Sequence, residues 1–165
     1  MPLPIFRFLD TVGDGSGTKN AVGDYSSGQD FKCIHPVGAG TTFYIERMIV
    51  KIVDAGTFNA DGYGALGVLS NGIEVLAIDP NGNTFINITD DVPIHSNADW
   101  TQQCYDMTLH DFGVGNGNKF VVVRWTFAKA GRPIPLKAGF SIAVRLSDSF
   151  VGLVDHYFSI QGFTL

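Results

Sequence analysis

Seven aspartates lie in or beside segments with loop-like sequence, where carboxylate oxygens could gather around a calcium ion. The seven are Asp54, Asp61, Asp90, Asp91, Asp106, Asp111 and Asp148. The ligand spacing of an EF-hand loop is absent, and aspartate is also a common turn residue without any metal. Calcium binding therefore stays open, and the sequence predicts no bound metal and no cofactor.

Four histidines could serve as acid, base or zinc ligand, but none stands in a pattern typical of those roles. They are His35, His95, His110 and His156. Zinc sites use His and Cys pairs at short spacings, and a nucleophilic serine is often marked by a GxSxG turn; both patterns are absent. His156 occupies the apolar side of its predicted strand, which favours a core or interface position. A triad assembled from distant residues leaves no spacing signature, yet we expect no enzyme.

Two glycine-rich segments partly resemble nucleotide-binding loops. Gly62 to Gly67 matches GxGxxG, but a dinucleotide loop must open a helix, and residues 68–72 instead predict a strand and a turn. Gly13 to Lys19 resembles a P-loop in composition only, without its spacing or its lysine and hydroxyl ending. The sequence therefore predicts no nucleotide site.

Cys33 and Cys104 are the two cysteines, and both have apolar or aromatic neighbours. Two cysteines in a chain of 165 residues do not form a disulfide framework. We expect reduced thiols, and a pairing between the two stays open.

Four aromatic side chains in predicted loops, the predicted helix or the N-terminal segment could stack on sugar rings. They are Tyr25, Tyr63, Trp100 and Tyr105. Interfaces between protein subunits are also enriched in tyrosine and tryptophan, and we favour that interpretation. Carbohydrate binding remains the alternative function.

The composition indicates a protein whose partners are other proteins. Charged residues make up 16% of the chain, against roughly 25% in an average soluble domain. The formal charge of −5 and the scattered basic residues argue against nucleic acid and anionic lipid as ligands. The N-terminus lacks the pattern of a signal peptide, and no apolar run approaches the roughly 18 residues of a membrane span.

Alternating apolar residues predict an all-β fold. FSIAVRL, at 140–146, places its apolar side chains on one side of a strand and its polar ones on the other. Further strands are predicted at 31–35, 41–53, 66–69, 73–78, 84–88, 119–127 and 154–165. One short helix is predicted over 96–107, capped by Ser96. Strand starts every 8 to 12 residues or so favour a jelly-roll-like β-sandwich, with an immunoglobulin-like sandwich as second choice.

The chain divides into an extended arm, residues 1–30, and a single β-sandwich domain, residues 31–165. Residues 10–30 are rich in glycine and poor in large apolar side chains, so they bury little. Within the body, the apolar phase of the strand at 41–53 changes near Glu46 and Arg47. A phase change of one residue predicts a β-bulge.

Four segments resemble small virion structural proteins of tailed bacteriophages, of the capsid decoration (cement) type. They are GDGSGTKNAVGDYSS (13–27), FYIERMIVKIVDAGTF (43–58), YGALGVLSNGIEV (63–75) and LKAGFSIAVRLSDSFVGLVDHYFSIQGF (136–163). The resemblance implies a jelly-roll body that sits as a trimer on the outside of the virion and binds the major capsid protein. It implies synthesis in the host cytoplasm and no catalytic residues. The alternative within the same biology is a carbohydrate- or receptor-binding module of a tail or head spike.

A clamp at the N-terminus would suit such a role, because an arm that reaches a neighbouring subunit adds contacts through multivalency. We expect the apolar patch 3–9 to anchor the arm, and deletion of residues 2–30 to leave a folded body that binds capsids poorly. Asp155 and Gln161 are also predicted to point outward. The predicted capsid or subunit contacts are Leu3, Ile5, Phe6, Phe8, Leu9, Tyr25, Arg124, Arg145 and Tyr157.

Overall fold

The computed structural model describes residues 1–19, 21, 23, 25–54, 69–89, 119–127 and 133–165. Within these ranges the chain forms nine strands, which confirms the all-β prediction. The strands are β1 (Leu3–Phe8), β2 (Gln29–Ile34), β3 (Phe43–Asp54), β4 (Ile73–Ile78), β5 (Thr84–Asn87), β6 (Lys119–Thr126), β7 (Ile134–Leu136), β8 (Ser141–Leu146) and β9 (Leu153–Thr164). The predicted helix over 96–107 and the GxGxxG segment lie outside the described residues. No helix in the described part of the chain is long and apolar enough to cross a membrane.

The strands form two antiparallel sheets. The larger sheet has the order β1-β9-β3-β6, with β7 pairing to the start of β3. The smaller sheet has the order β2-β8-β4-β5. Because neighbours in both sheets are mostly distant in sequence, the fold is held together by long-range pairing rather than by successive hairpins.

The core lies between the two sheets and receives alternate side chains from each. In the smaller sheet β8 directs Ile142, Val144 and Leu146 inward, as its alternation predicts, and all three are buried. In the larger sheet Trp125 and Phe158 belong to the same cluster and are 1% and 2% exposed. Burial of each such side chain contributes about 1.5–3 kcal/mol to folding. The shared core makes the two sheets a sandwich.

The predicted irregularity at Glu46 is present in β3. Ile45 pairs with Gly162 and Arg47 with Gln161 of β9, so Glu46 is the extra residue of a bulge. A Cβ atom at Gly162 would lie 2.9 Å from the carbonyl carbon of Tyr44 and closer still to its oxygen, so only glycine fits there. The bulge reverses which side of the sheet odd- and even-numbered residues of β3 face. Ile45 before it and Met48 after it can therefore both point into the core.

The N-terminal segment is joined to the body of its own chain at several described positions. β1 pairs with β9 from Leu3 opposite Thr164 to Phe8 opposite Ser159. Leu9 and Tyr25, which belong to the predicted arm, are core residues with exposures of 1% and 6%. Deletion of residues 2–30 would therefore remove an edge strand and two core side chains. The structure argues against a folded body in the truncated chain.

Candidate interaction surface

The outer side of the larger sheet gathers aromatic and basic side chains from four strands. Paired residues of antiparallel strands point to the same side of a sheet, so the strand register defines this set. One row runs from Phe6 through Gln161 to Arg47, and the next from Phe8 through Ser159 and Ile49 to Arg124. The set is called the aromatic–basic face and consists of Phe6, Phe8, Arg47, Ile49, Lys51, Arg124, Asp155, Tyr157, Ser159 and Gln161.

Three aromatic rings of this face are packed edge to face. The ring centroids of Phe6 and Phe8 lie 5.0 Å apart at an interplanar angle of 88°. Those of Phe8 and Tyr157 lie 5.4 Å apart at 84°. Such geometry is favourable for aromatic pairs and holds each ring in place. Phe6 at the end of the series is still 44% exposed, so the ordered rings present apolar area to solvent.

Basic side chains adjoin these rings. Arg47 is exposed and Arg124 is half-buried, and their positions on β3 and β6 are diagonal neighbours. Neither guanidinium forms an ion pair with a carboxylate of the described chain, whereas Arg145 on the other sheet does. Lys51 adds a third cation to the same side of β3. Asp155 adds one carboxylate on the same side of β9, so basic side chains outnumber acidic ones on this face, in a chain whose formal charge is −5.

The accessible part of the face includes Phe6 and Arg47, whereas Ser159 between the strands is 1% exposed. Val122 and Thr126 of β6 point to the same side and are buried, each 9% exposed. Arg124 between them keeps partial exposure because its long side chain reaches past its neighbours. Ligands can thus approach the aromatic rings and Arg47, with Arg124 at the margin.

The free edge of β1 is closed to further strand pairing. The N–H of Leu9 donates to the carbonyl of Phe158, so alternate residues, including Pro4, Phe6 and Phe8, direct their backbone groups away from β9. Pro4 has no N–H to offer, and the Phe6 carbonyl accepts a hydrogen bond of 2.8 Å from Arg7. Phe8 forms a bridge with Ser16. These features disfavour strand addition at β1, so we expect a partner to bind the face through side chains.

A small cavity opens where the bulge meets β1. Its volume is about 360 Å³. It is lined by Pro4, Ile5, Phe6, Glu46, Gln161 and Gly162. The extra residue of the bulge thus places a carboxylate beside the exposed ring of Phe6, at the border of the aromatic–basic face.

The predicted contact residues divide between this face and other places. Phe6, Phe8, Arg124 and Tyr157 come together on it. The sequence analysis did not predict Arg47 and Ile49 as contact residues. The phase change at Glu46 does indicate that both point away from the core, because the apolar residues Met48 and Val50 alternate with them. The remaining five lie elsewhere: Leu3 exposed at the start of β1, Ile5 against the core, Leu9 and Tyr25 within it, and Arg145 on the smaller sheet.

Arg145 is engaged within its own chain. Its Nε and a terminal nitrogen donate to the two carboxylate oxygens of Asp30 at 2.8 and 3.0 Å. This hydrogen-bonded carboxylate raises the pKa of Arg145 above its usual value. The residue links β2 to β8 on the outer side of the smaller sheet, away from the aromatic–basic face.

The candidates for other chemistry do not assemble into a site within the described ranges. Asp148 accepts hydrogen bonds from the Asn71 side-chain amide and from the N–H groups of Asn71 and Gly72, at 2.8–2.9 Å. Burial raises its pKa, but these donors outweigh that effect and the pKa is lowered. Among the described residues no three His, Cys, Asp or Glu side chains form a cluster that could hold a metal ion. The other aspartate candidates, Asp61, Asp90, Asp91, Asp106, Asp111 and the side chain of Asp54, lie outside the described part.

The predicted sugar-stacking residues and cysteines are only partly described. Tyr25 is buried, so its ring cannot stack on a ligand. Burial raises the pKa of the Cys33 thiol to about 11, which makes it a poor nucleophile at neutral pH. Tyr63, Trp100, Cys104 and Tyr105 lie outside the described residues.

Comparisons with protein-family models, with curated proteins and with solved structures found no match to this chain.

Proposed function

We propose that this chain is a structural protein of a bacteriophage virion, of the capsid decoration type. In this role a trimer sits on the outside of the head and bridges neighbouring copies of the major capsid protein. The proposal rests on the sequence resemblance and on the aromatic–basic face. Decoration needs a rigid body with a surface that binds other proteins, and no chemistry beyond binding.

The nested pairing of the strands supports a jelly-roll body. β1 pairs with β9, β2 with β8, β3 with β6, and β4 with β5, all antiparallel. This is the pairing of one long hairpin that has been rolled into two sheets, which is how a jelly roll is built. β7 is an additional short strand beside β3.

The observation that carries the proposal is the convergence of four predicted contact residues on one face. Phe6 and Phe8 come from the N-terminal strand, Arg124 from β6 and Tyr157 from β9. These positions are far apart in sequence, and only the folded sheet brings them together. Aromatic residues and arginine are enriched in protein interfaces and dominate their binding energy.

The N-terminal segment contributes to binding as part of the folded body in this proposal. β1 holds Phe6 and Phe8 on the sheet, and their packing against Tyr157 fixes the rings. A partner that binds ordered rings loses less conformational entropy than one that must order a free arm. On a capsid lattice, where a trimer meets several shell subunits at once, modest contacts add through multivalency.

The copy number of the protein in purified virions tests the proposal. Quantitative mass spectrometry should find it in hundreds of copies per particle, in a fixed ratio to the major shell protein. A few copies per particle would instead support the tail or spike alternative. Complete absence from purified particles would overturn the virion role.

A further inference from the structure

We propose that the aromatic–basic face binds a second copy of this chain, head to tail, and so forms the subunit contact of the trimer. The inference deepens the proposed function, because it assigns the face to the trimer contact and leaves capsid binding to other surfaces. The occupant is argued from charge, from symmetry and from the closed edge of β1.

Charge complementarity favours another copy as the partner. The chain has 16 acidic and 11 basic residues. Three of the basic residues, Arg47, Lys51 and Arg124, lie on this one face. The rest of a second copy therefore contains more acidic than basic residues. Because Arg47 and Arg124 have no carboxylate partner in the described part of their own chain, they are available to such a surface.

Symmetry determines how the copies meet. Two aromatic–basic faces placed against each other would bring basic side chains of both copies together, and like charges across an interface are unfavourable. The face must therefore contact a different surface of the next copy. A repeated head-to-tail contact closes into a ring when the rotation between neighbouring copies closes, and a three-fold rotation gives the trimer.

The apolar part of the face suits a buried interface centre. Phe6 is 44% exposed in the isolated chain, and its ring continues into the packed rings of Phe8 and Tyr157. Arg47 and Arg124 lie on the strands beside these rings. An aromatic centre bordered by charge is the usual arrangement of interface residues that dominate binding. Pro4 and the Arg7 hydrogen bond at the edge of β1 disfavour strand addition, so contact through the side chains of this face is favoured.

The oligomeric state of the purified full chain tests the proposal. Sedimentation equilibrium and light scattering should show a trimer that dissociates at high salt. The double variant Arg47→Glu, Arg124→Glu should raise the trimer dissociation constant at least about tenfold, because each change places a carboxylate where the next copy presents acidic groups. Phe6→Ser should weaken the trimer without reversing charge. Circular dichroism should show that each variant keeps the wild-type fold.

Lys137→Glu is the matched control. It makes the charge change of one of the two arginine substitutions, at an exposed residue after β7 and away from the face, and should leave the trimer intact. A wild-type chain that stays monomeric up to high concentration would refute the inference. So would a double variant that trimerises like wild type, and if that variant then fails to bind capsids, the face contacts the shell instead. The virion role is judged separately, by copy number in particles.

Discussion

The hydroxyl of Tyr25 lies 3.1 Å from Nδ1 of His156, a residue 131 positions later in the chain. Both side chains are buried, with exposures of 6% and 2%, and the ring of Phe31 lies 4.5 Å from the imidazole. The second ring nitrogen of His156, Nε2, is buried without a hydrogen-bond partner in the described chain. This pair joins the glycine-rich N-terminal segment to β9, and its surroundings favour a neutral imidazole.

Burial makes the stability of the fold depend on pH through His156. It lowers the pKa of this imidazole from 6.5 to about 4. The unfolded chain therefore takes up a proton near pH 6.5, while the folded chain resists protonation until about pH 4. The contribution of neutral His156 to stability is complete above pH 6.5 and is lost as the pH falls toward 4. We expect a loss of about 2–3 kcal/mol from this residue between pH 7.5 and 4.5, measured by urea unfolding.

Carboxylates also titrate in part of this pH range. A variant without the histidine is therefore needed to separate its contribution to the pH dependence of stability. In His156→Phe the loss between pH 7.5 and 4.5 should shrink by about that amount, because the titrating group is gone. Should the variant not fold, the pKa can be read from the NMR shift of the His156 ring proton in wild type. A value near 6.5 in the folded protein would contradict the prediction.

Tyr25→Phe should lower the free energy of unfolding without creating a cavity in the core. The substitution keeps the ring against Phe31 but removes the hydroxyl that bonds to His156. Leaving the buried Nδ1 without a partner should cost about 1–3 kcal/mol, measured by urea unfolding. Tyr44→Phe is the control, because the Tyr44 ring stacks on Phe163 and its hydroxyl forms no hydrogen bond in the described chain. Equal stability of the two variants would argue against the role of the Tyr25 bond.

Gly162→Ala should disrupt the bulge in β3. A Cβ atom at this position would collide with the backbone of Tyr44, which cannot move without breaking the pairing of β3 with β9. We expect destabilisation of at least about 2 kcal/mol by thermal or urea unfolding. Gly40→Ala is the matched control, because a Cβ there meets nothing within 4 Å, and it should change stability by less than about 0.5 kcal/mol. Similar stabilities for the two variants would show that the bulge tolerates a side chain.

The sequence predicts individual strands well in this chain because alternation is a local signal. Ile142, Val144 and Leu146 fall on the buried side of β8 as their spacing indicates. The phase change at Glu46 likewise predicts the bulge, since both apolar runs of β3 must reach the same core. In these cases the chemistry of neighbouring residues is enough to determine which side of a strand is buried.

Alternation does not reveal which strands are neighbours, and the interaction surface depends on that. The pairing of Leu3 with Thr164 joins the two ends of the chain, and nothing in either segment specifies the other. Arg145 and Arg124 look alike in sequence, as outward arginines of apolar strands, yet they lie on different sheets. Tyr25 lies in a segment whose composition predicts exposure, but its ring enters the core. The contact set could therefore be assembled only from the structure.

The proline and arginine of β1 should prevent association through the edge of the sheet. Pro4→Val would supply an outward N–H, and Arg7→Ala would uncover the Phe6 carbonyl that Arg7 now occupies. Exposed, unpaired strand edges promote pairing between chains, so the double variant should form large assemblies beyond the trimer, detected by light scattering and thioflavin binding.

Pro2→Val combined with Lys137→Ala is the control, because Pro2 precedes β1 and Lys137 lies outside it. The interpretation of β1 as a closed edge fails if the Pro4 and Arg7 variant associates no further than this control. Enhanced assembly that persists with charge-reversed Arg47 and Arg124 would show that the edge and the aromatic–basic face act independently.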